Sequence, residues 1–201
     1  MLKLVIPEAL KQEFATVETV WNSTGETRRV DALMLSWIKY EKQLRRLFCF
    51  FVFQHPRINA DRIDGIVSVL AENGKLYPET FIAGIKALGV TSVPELLGSR
   101  YAELWREIRR IKKYRNKLMH GQVTGQGIKS PQLERDVLWI IEWAGCLAVA
   151  AESTHGYDGL RRNTYQAAKA TPKIAVAEYP FQTSAELKTW LSDLVKKSSQ
   201  T

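Results

Sequence analysis

The 201-residue sequence has few of the features that staple or export a chain. It has two cysteines, Cys49 and Cys146, each inside an apolar stretch and neither in a Cys-x-x-Cys or Cys/His spacing. That pattern excludes a disulfide framework and a zinc finger, and it predicts two buried free thiols. The opening MLKLVIP is too short, and too soon broken by Pro7, for a secretory signal, so a reducing cytoplasm is the expected home. Without export, the sequon Asn22-Ser23-Thr24 carries no meaning. No apolar run reaches the ~18–20 residues needed to cross a bilayer. Leu47–Phe53 and Val137–Ala151, the latter interrupted by Glu142, are expected as buried helices, and no membrane contact is expected. Internal repeats and low-complexity tracts are absent. The segment Gly121–Gly127 (GQVTGQG) lacks both the Lys-Ser/Thr and the preceding strand of a phosphate loop, and reads as a mobile loop.

The residues that are present repeat with helical period. Leu10, Phe14, Val17 and Trp21 predict a first helix over 7–21, broken by Asn22–Gly25. A second runs over 28–54 on Leu33, Met34, Trp37, Ile38, Leu44, Leu47, Phe48 and Phe51. Its polar face carries Lys39, Lys42, Arg45 and Arg46, and His55-Pro56 ends it. Short helices follow over 61–72 and 78–88. Ser92-x-x-Glu95 has capping-box spacing and opens another. A longer helix spans 100–119, and Ser130-Pro131 starts one that continues to 154. The pattern weakens from Tyr157 to Gln182, where Lys173–Tyr179 reads as a short strand or an extended crossing. A second capping-box spacing, Thr183-x-x-Glu186, opens a last helix on Leu187, Trp190, Leu191 and Leu194, and 196–201 reads as a frayed tail. The fold class is therefore all-α: an antiparallel helical bundle over 1–156, with additional short helices, and a C-terminal extension over 157–201 whose last helix packs on the bundle.

Acidic residues are outnumbered, 21 against 29 basic ones, for a net charge of +8. A basic chain of this size meets an anionic partner or wears a solvated basic surface, and distribution decides between these. Residues 100–119 hold eight cations (Arg100, Arg106, Arg109, Arg110, Lys112, Lys113, Arg115, Lys117) against Glu103 and Glu107, a local net of +6. Leu104, Trp105, Ile108, Ile111 and Leu118 fix one buried stripe on this helix. The cations then face outward or toward a partner, a workable phosphate-binding surface.

This helix ends in Tyr114-Arg115-Asn116-Lys117-Leu118-Met119-His120-Gly121. An arginine followed by a polar residue, three more residues and a histidine, at the end of a basic helix and ahead of a second apolar one, resembles the R-x4–6-H signature of the HEPN superfamily. The motif itself covers about eight residues. The resemblance implies a bundle of HEPN type and, among its bacterial members, a metal-independent endoribonuclease in a toxin or phage-defence role. The other reading it allows is a non-catalytic HEPN module that binds nucleic acid, a nucleotide or a protein. A third reading, outside the family, is a structural bundle whose basic face meets an acidic partner.

The residue types suit RNA cleavage by the 2′-hydroxyl. Histidine carries protons near neutral pH, and arginine holds phosphate charge bidentately without losing its own proton. Arg115, His120 and Asn116 are the candidate catalytic residues. Asn116 lies four residues before His120, so a continuing helix puts both on one face. Arg109, Lys112, Lys113 and Lys117 are candidate contacts to the RNA backbone. Tyr114 is read both as a base-stacking residue and as a buried tyrosine. No metal and no cofactor is called for. The resemblance further implies a homodimer with a composite site of two Arg115–His120 pairs, 2′,3′-cyclic phosphate products, and an antitoxin or other regulatory protein as a possible partner besides RNA.

Overall fold

The computed structural model describes residues 2–72, 76–119, 128–171, 176 and 178–198. Among them every regular element is helical. The α-helices are α1 (Lys11–Asn22), α2 (Arg28–Phe53), α3 (Ile63–Glu72), α4 (Pro78–Ala87), α5 (Val93–Leu97), α6 (Tyr101–Met119), α7 (Ser130–His155), α8 (Thr164–Ala170) and α9 (Ser184–Ser198). Single 3-10 turns lead into α1, α3 and α6.

α2 is the hub: it packs against α1, α4, α6, α7 and α8. Its sequence explains why. Up to Tyr40 its apolar residues form a stripe, but from Leu47 to Phe53 nearly every side chain is apolar and buried. A helix apolar all round has to be surrounded. Ile38 departs from the predicted core, standing 53% exposed. α7 is the second core helix, packed on α2, α5 and α6. By length and composition it is the one described helix that qualifies to cross a membrane, yet half of its most apolar window is buried within the fold. It also presents acids to its neighbours: Glu134 to Arg29, Asp136 to Arg110 and Glu142 to Arg100.

The helix ends follow local chemistry. Ser92 and Glu95 form the expected capping box, with Ser92 N donating to Glu95 Oε2 at 2.7 Å. At α9 the second box is shifted: Glu186 N donates to Thr183 Oγ1 at 3.2 Å, but the Glu186 carboxylate takes the Gln182 N–H, at 2.6 Å. Gly156 closes α7 in the left-handed region, at φ 71°. α9 continues through Lys196 to Ser198, where a frayed tail was expected, and it packs on α3 and α4. Cys49 and Cys146 are free and only partly buried; burial nonetheless raises both thiols, Cys49 to about 12.

The region of weak pattern after Tyr157 is held by side-chain to backbone bonds rather than by a stripe. Gln43 of α2 donates to the carbonyls of Ala144 and Asp158 at 3.0 and 3.2 Å. Arg46 reaches the carbonyls of Leu160 and Arg162. Gly159, at φ 80°, lies so close to α2 that a Cβ would come within 3.0 Å of the Gln43 carbonyl oxygen. α8 follows, capped by Asn163, which accepts from Gln166 N at 3.1 Å. Of the stretch read as a strand or crossing, 173–175 and 177 lie outside the described residues. In its described part there is no strand, and the Tyr179 hydroxyl donates to the Phe51 carbonyl at 3.0 Å.

Candidate functional site

α6 is the basic helix, and its surroundings sort its cations into three sets. On one edge, toward α7, Arg110 and the Tyr114 hydroxyl both donate to the buried carboxylate of Asp136. Burial pushes Asp136 above the usual carboxylate range, and Arg110 opposes that. Tyr114 is buried here, so its ring offers no face to a base: the buried one of its two readings holds. Arg100, in the 3-10 turn just before α6, pairs with Glu103 and Glu142, and Arg106 pairs with Glu107.

On the other edge α6 meets α2 and α4. Arg115 Nη2 donates to Glu41 Oε1 at 2.5 Å, and its guanidinium carbon sits 4.5 Å from the centre of the Trp37 ring. The same Glu41 oxygen accepts from Trp37 Nε1 at 2.6 Å. Trp37 and Glu41 are one turn apart on α2, so a single helix face supplies both the carboxylate and the aromatic floor. The Arg115 side chain is 13% exposed and that of Glu41 36%. Three residues earlier on α6, Lys112 pairs with Glu79 at the start of α4, and its ammonium lies 5.8 Å from the ring centre of Tyr77. Behind this edge the Tyr40 hydroxyl is buried without a hydrogen-bond partner among the described residues. Burial first, and then the Glu79 and Glu41 charges, raise it well above the usual tyrosine range.

The third set faces outward. Arg109, Lys113, Asn116 and Lys117 are exposed, and Arg109 and Lys113 enter no ion pair among the described residues. Arg109, Lys113 and Asn116 follow at intervals of four and three, so they form one outward stripe, with Lys112 and Arg115 on the adjoining edge. The predicted basic face is therefore narrower than the sequence suggested, because acids from α2, α4 and α7 engage much of it. His120 and residues 121–127, expected as a loop, lie outside the described residues, and with them the expected sharing of a face by Asn116 and His120. Among the described residues no group of three or more His, Cys, Asp or Glu side chains is placed to hold a metal ion.

Sequence reasoning missed Glu41, Trp37 and Glu79 as neighbours of the motif. Trp37 was assigned to the core and Glu41 to no role, since nothing local ties residue 41 to residue 115. Asp136 carried a readable signal: an acid three residues after Leu133 and next to Val137, at a core position of α7, needs a cationic or hydroxyl partner.

These features define a class: an all-α protein whose most basic helix is clamped along two edges and open along a third. Compared with protein-family models, curated proteins and solved structures, the chain matches none of them.

Proposed function

We propose that this chain is a metal-independent endoribonuclease of HEPN type, in which Arg115 stabilises the phosphorane and His120 moves the proton. The observation that carries the reading is the setting of Arg115. It lies near the end of the most basic helix, oriented by Glu41 and the Trp37 face, and bordered by the outward stripe of Arg109, Lys113 and Asn116. A guanidinium held in a fixed plane is preorganised for a phosphate, and holding it in advance lowers the reorganisation needed in the transition state. The RNA 2′-oxygen attacks the adjacent phosphorus, the bond to the 5′-oxygen breaks, and the products are a 2′,3′-cyclic phosphate and a 5′-hydroxyl. Asn116 is exposed beside Arg115 and is assigned to phosphate or imidazole contact. Lys113, Lys117 and Arg109 are assigned to the backbone, with Lys112 as a tethered cation. A homodimer supplies the second Arg115–His120 pair, because one histidine does not serve as base and acid together. A cytoplasmic toxin or phage-defence role, with an antitoxin or other regulator, completes this reading.

One observation favours a second reading. Arg115 already has a carboxylate partner in Glu41, which is what a structural arginine would also have. On that account the chain is a non-catalytic HEPN module that binds nucleic acid, a nucleotide or a protein. RNA cleavage in EDTA by the wild type, Arg115→Ala and His120→Ala, with product ends identified, separates the two. Cyclic phosphate ends from the wild type, lost in both variants, support the ribonuclease. Intact RNA with the dimeric wild type, or equal cutting by His120→Ala, removes it.

A further inference from the structure

Tyr77 is the only large aromatic side chain strongly exposed among the described residues, at 54%. Its position follows from the backbone. Residue 77 is extended (φ −94°, ψ 165°) between buried Leu76 and buried Pro78. In extended chain, neighbours alternate in direction, so two inward residues send the one between them outward. Pro78 then starts α4, and one residue further Glu79 binds Lys112. That ion pair ties the beginning of α4 to α6 and holds the Lys112 ammonium 5.8 Å from the Tyr77 ring centre. The ring makes no ring–ring contact among the described residues. It is an aromatic face left to solvent beside a helix whose outer stripe is cationic.

We infer that Tyr77, flanked by Lys112, is a nucleobase-stacking subsite for unpaired RNA lying along the outer stripe of α6. The inference rests on the ribonuclease reading for the identity of the polymer, and deepens it by naming the strand state. Arg115 lies three residues beyond Lys112, a rise of about 4.5 Å along the helix, so a base on Tyr77 belongs to a nucleotide close to the phosphate at Arg115. Single-strand binding combines a cationic track for the backbone with aromatic rings for the bases, and it tolerates sequence because every base has a π-face. A duplex keeps its base faces stacked on one another and offers none to a side chain. The division of labour is also readable in the charges. Lys112 and Glu79 neutralise each other, so the contact at Tyr77 is a near-neutral stack, while Arg109 and Lys113 are left for phosphates.

The test uses the full chain and a short 2′-O-methyl oligonucleotide, which lacks the attacking hydroxyl and stays intact. Binding is read by fluorescence anisotropy, for the single strand and for its duplex. Tyr77→Ala is expected to weaken single-strand binding about tenfold with the salt slope unchanged, and Tyr77→Phe to bind as the wild type. The wild type is expected to prefer the single strand. Unchanged binding by Tyr77→Ala overturns the subsite, as does an equal loss in Tyr77→Phe, an equal loss on the duplex, or a wild type that binds no oligonucleotide. A protein-docking role for the ring would give the first of these results. Because the oligonucleotide is not cut, failure of the subsite is distinct from failure of the ribonuclease reading, which is decided on cleavable RNA. A chain that binds and stacks but never cuts keeps the subsite and loses the enzyme.

Discussion

Two places in this molecule use the same three side chains, an arginine, a tryptophan and a glutamate, with different surroundings. At the first, Arg29 lies over the Trp21 ring at 3.9 Å, donates to Glu134 at 2.8 Å and to the Trp21 carbonyl at 2.7 Å, and Glu134 also accepts from Leu2 N at 2.9 Å. The Arg29 and Glu134 side chains are 5% and 8% exposed. At the second, Arg115 lies over Trp37 and donates to Glu41, but the carboxylate is 36% exposed and α6 continues beside it as an open cationic stripe. The first unit is closed and ties α2 to α7 and to the N-terminal segment. The second sits at a rim, where an anion from solvent can compete for the guanidinium. The same chemistry becomes a clasp when it is sealed and a candidate receptor when one side stays wet.

The largest separation should come from deleting each arginine. Arg29→Ala leaves the Glu134 carboxylate buried without its cation, and is expected to cost about 3–5 kcal/mol in urea unfolding. Arg115→Ala leaves Glu41 within reach of water and is expected to cost only about 1 kcal/mol. Equal losses would abolish the distinction. The next effect is on chemistry. Arg115→Ala is expected to lower RNA cleavage at least about 100-fold, the scale for removing one charged donor from a transition state. A variant that keeps its fold and its activity would make Arg115 a second clasp.

What the sequence conveyed, and what it did not, divides along the same line. Period and caps placed α1, α2, α6, α7 and α9 within a few residues, because a helix in a bundle writes its buried face into its own spacing. The basic helix and its buried stripe were legible for the same reason, whereas Arg115 was singled out by resemblance to a motif. Glu41, 74 positions before Arg115, was not legible, since pairing between helices depends on which faces the fold brings together. The 157–163 segment was unreadable on similar grounds. Its order comes from Gln43 and Arg46, more than a hundred positions away, acting on backbone carbonyls that have no sequence identity. α8 was missed because seven residues make too short a pattern.

Acid should loosen the molecule first at sites remote from both arginines. His55 is buried and accepts from Arg57 N at 3.0 Å through Nδ1, while Nε2 faces the Phe181 carbonyl at 3.0 Å. Burial lowers its pKa, with Arg57 and Lys169 adding to the effect against the Phe181 contact. Burial likewise lowers that of His155. A histidine held below its ordinary value of 6.5 takes up its proton more readily in the unfolded chain. Stability is therefore full above that pH and falls as pH drops below it, by at most about 1.4 kcal/mol per unit for each histidine. Glu134, which burial would raise, is instead held below the ordinary glutamate range by Leu2 N and Arg29, so its contribution is lost only as pH falls below 4.5. Urea midpoints should begin to fall below pH 6.5 in the wild type and less so in His155→Gln. A flat profile down to pH 4.5 would mean that neither ring is held neutral by the fold.

The smallest effect is the sharpest for the comparison. Glu41→Gln keeps the length and an oxygen for Trp37 Nε1 but removes the charge that engages Arg115. If Arg115 serves as a receptor, removing its internal anion makes it more available to phosphate. Binding to a non-cleavable single strand should then tighten a few-fold at low salt, and the slope of log affinity on log salt should steepen by up to about 0.7, the value for one more phosphate on a single strand. Cleavage need not follow. Glu41 also orients the guanidinium, and a tighter but looser-angled contact can bind better while reacting more slowly. If Arg115 is a clasp like Arg29, the same substitution lowers the urea midpoint and leaves the salt slope where it was. The two outcomes move different observables, so a single variant measured both ways assigns the rim arginine to one class or the other.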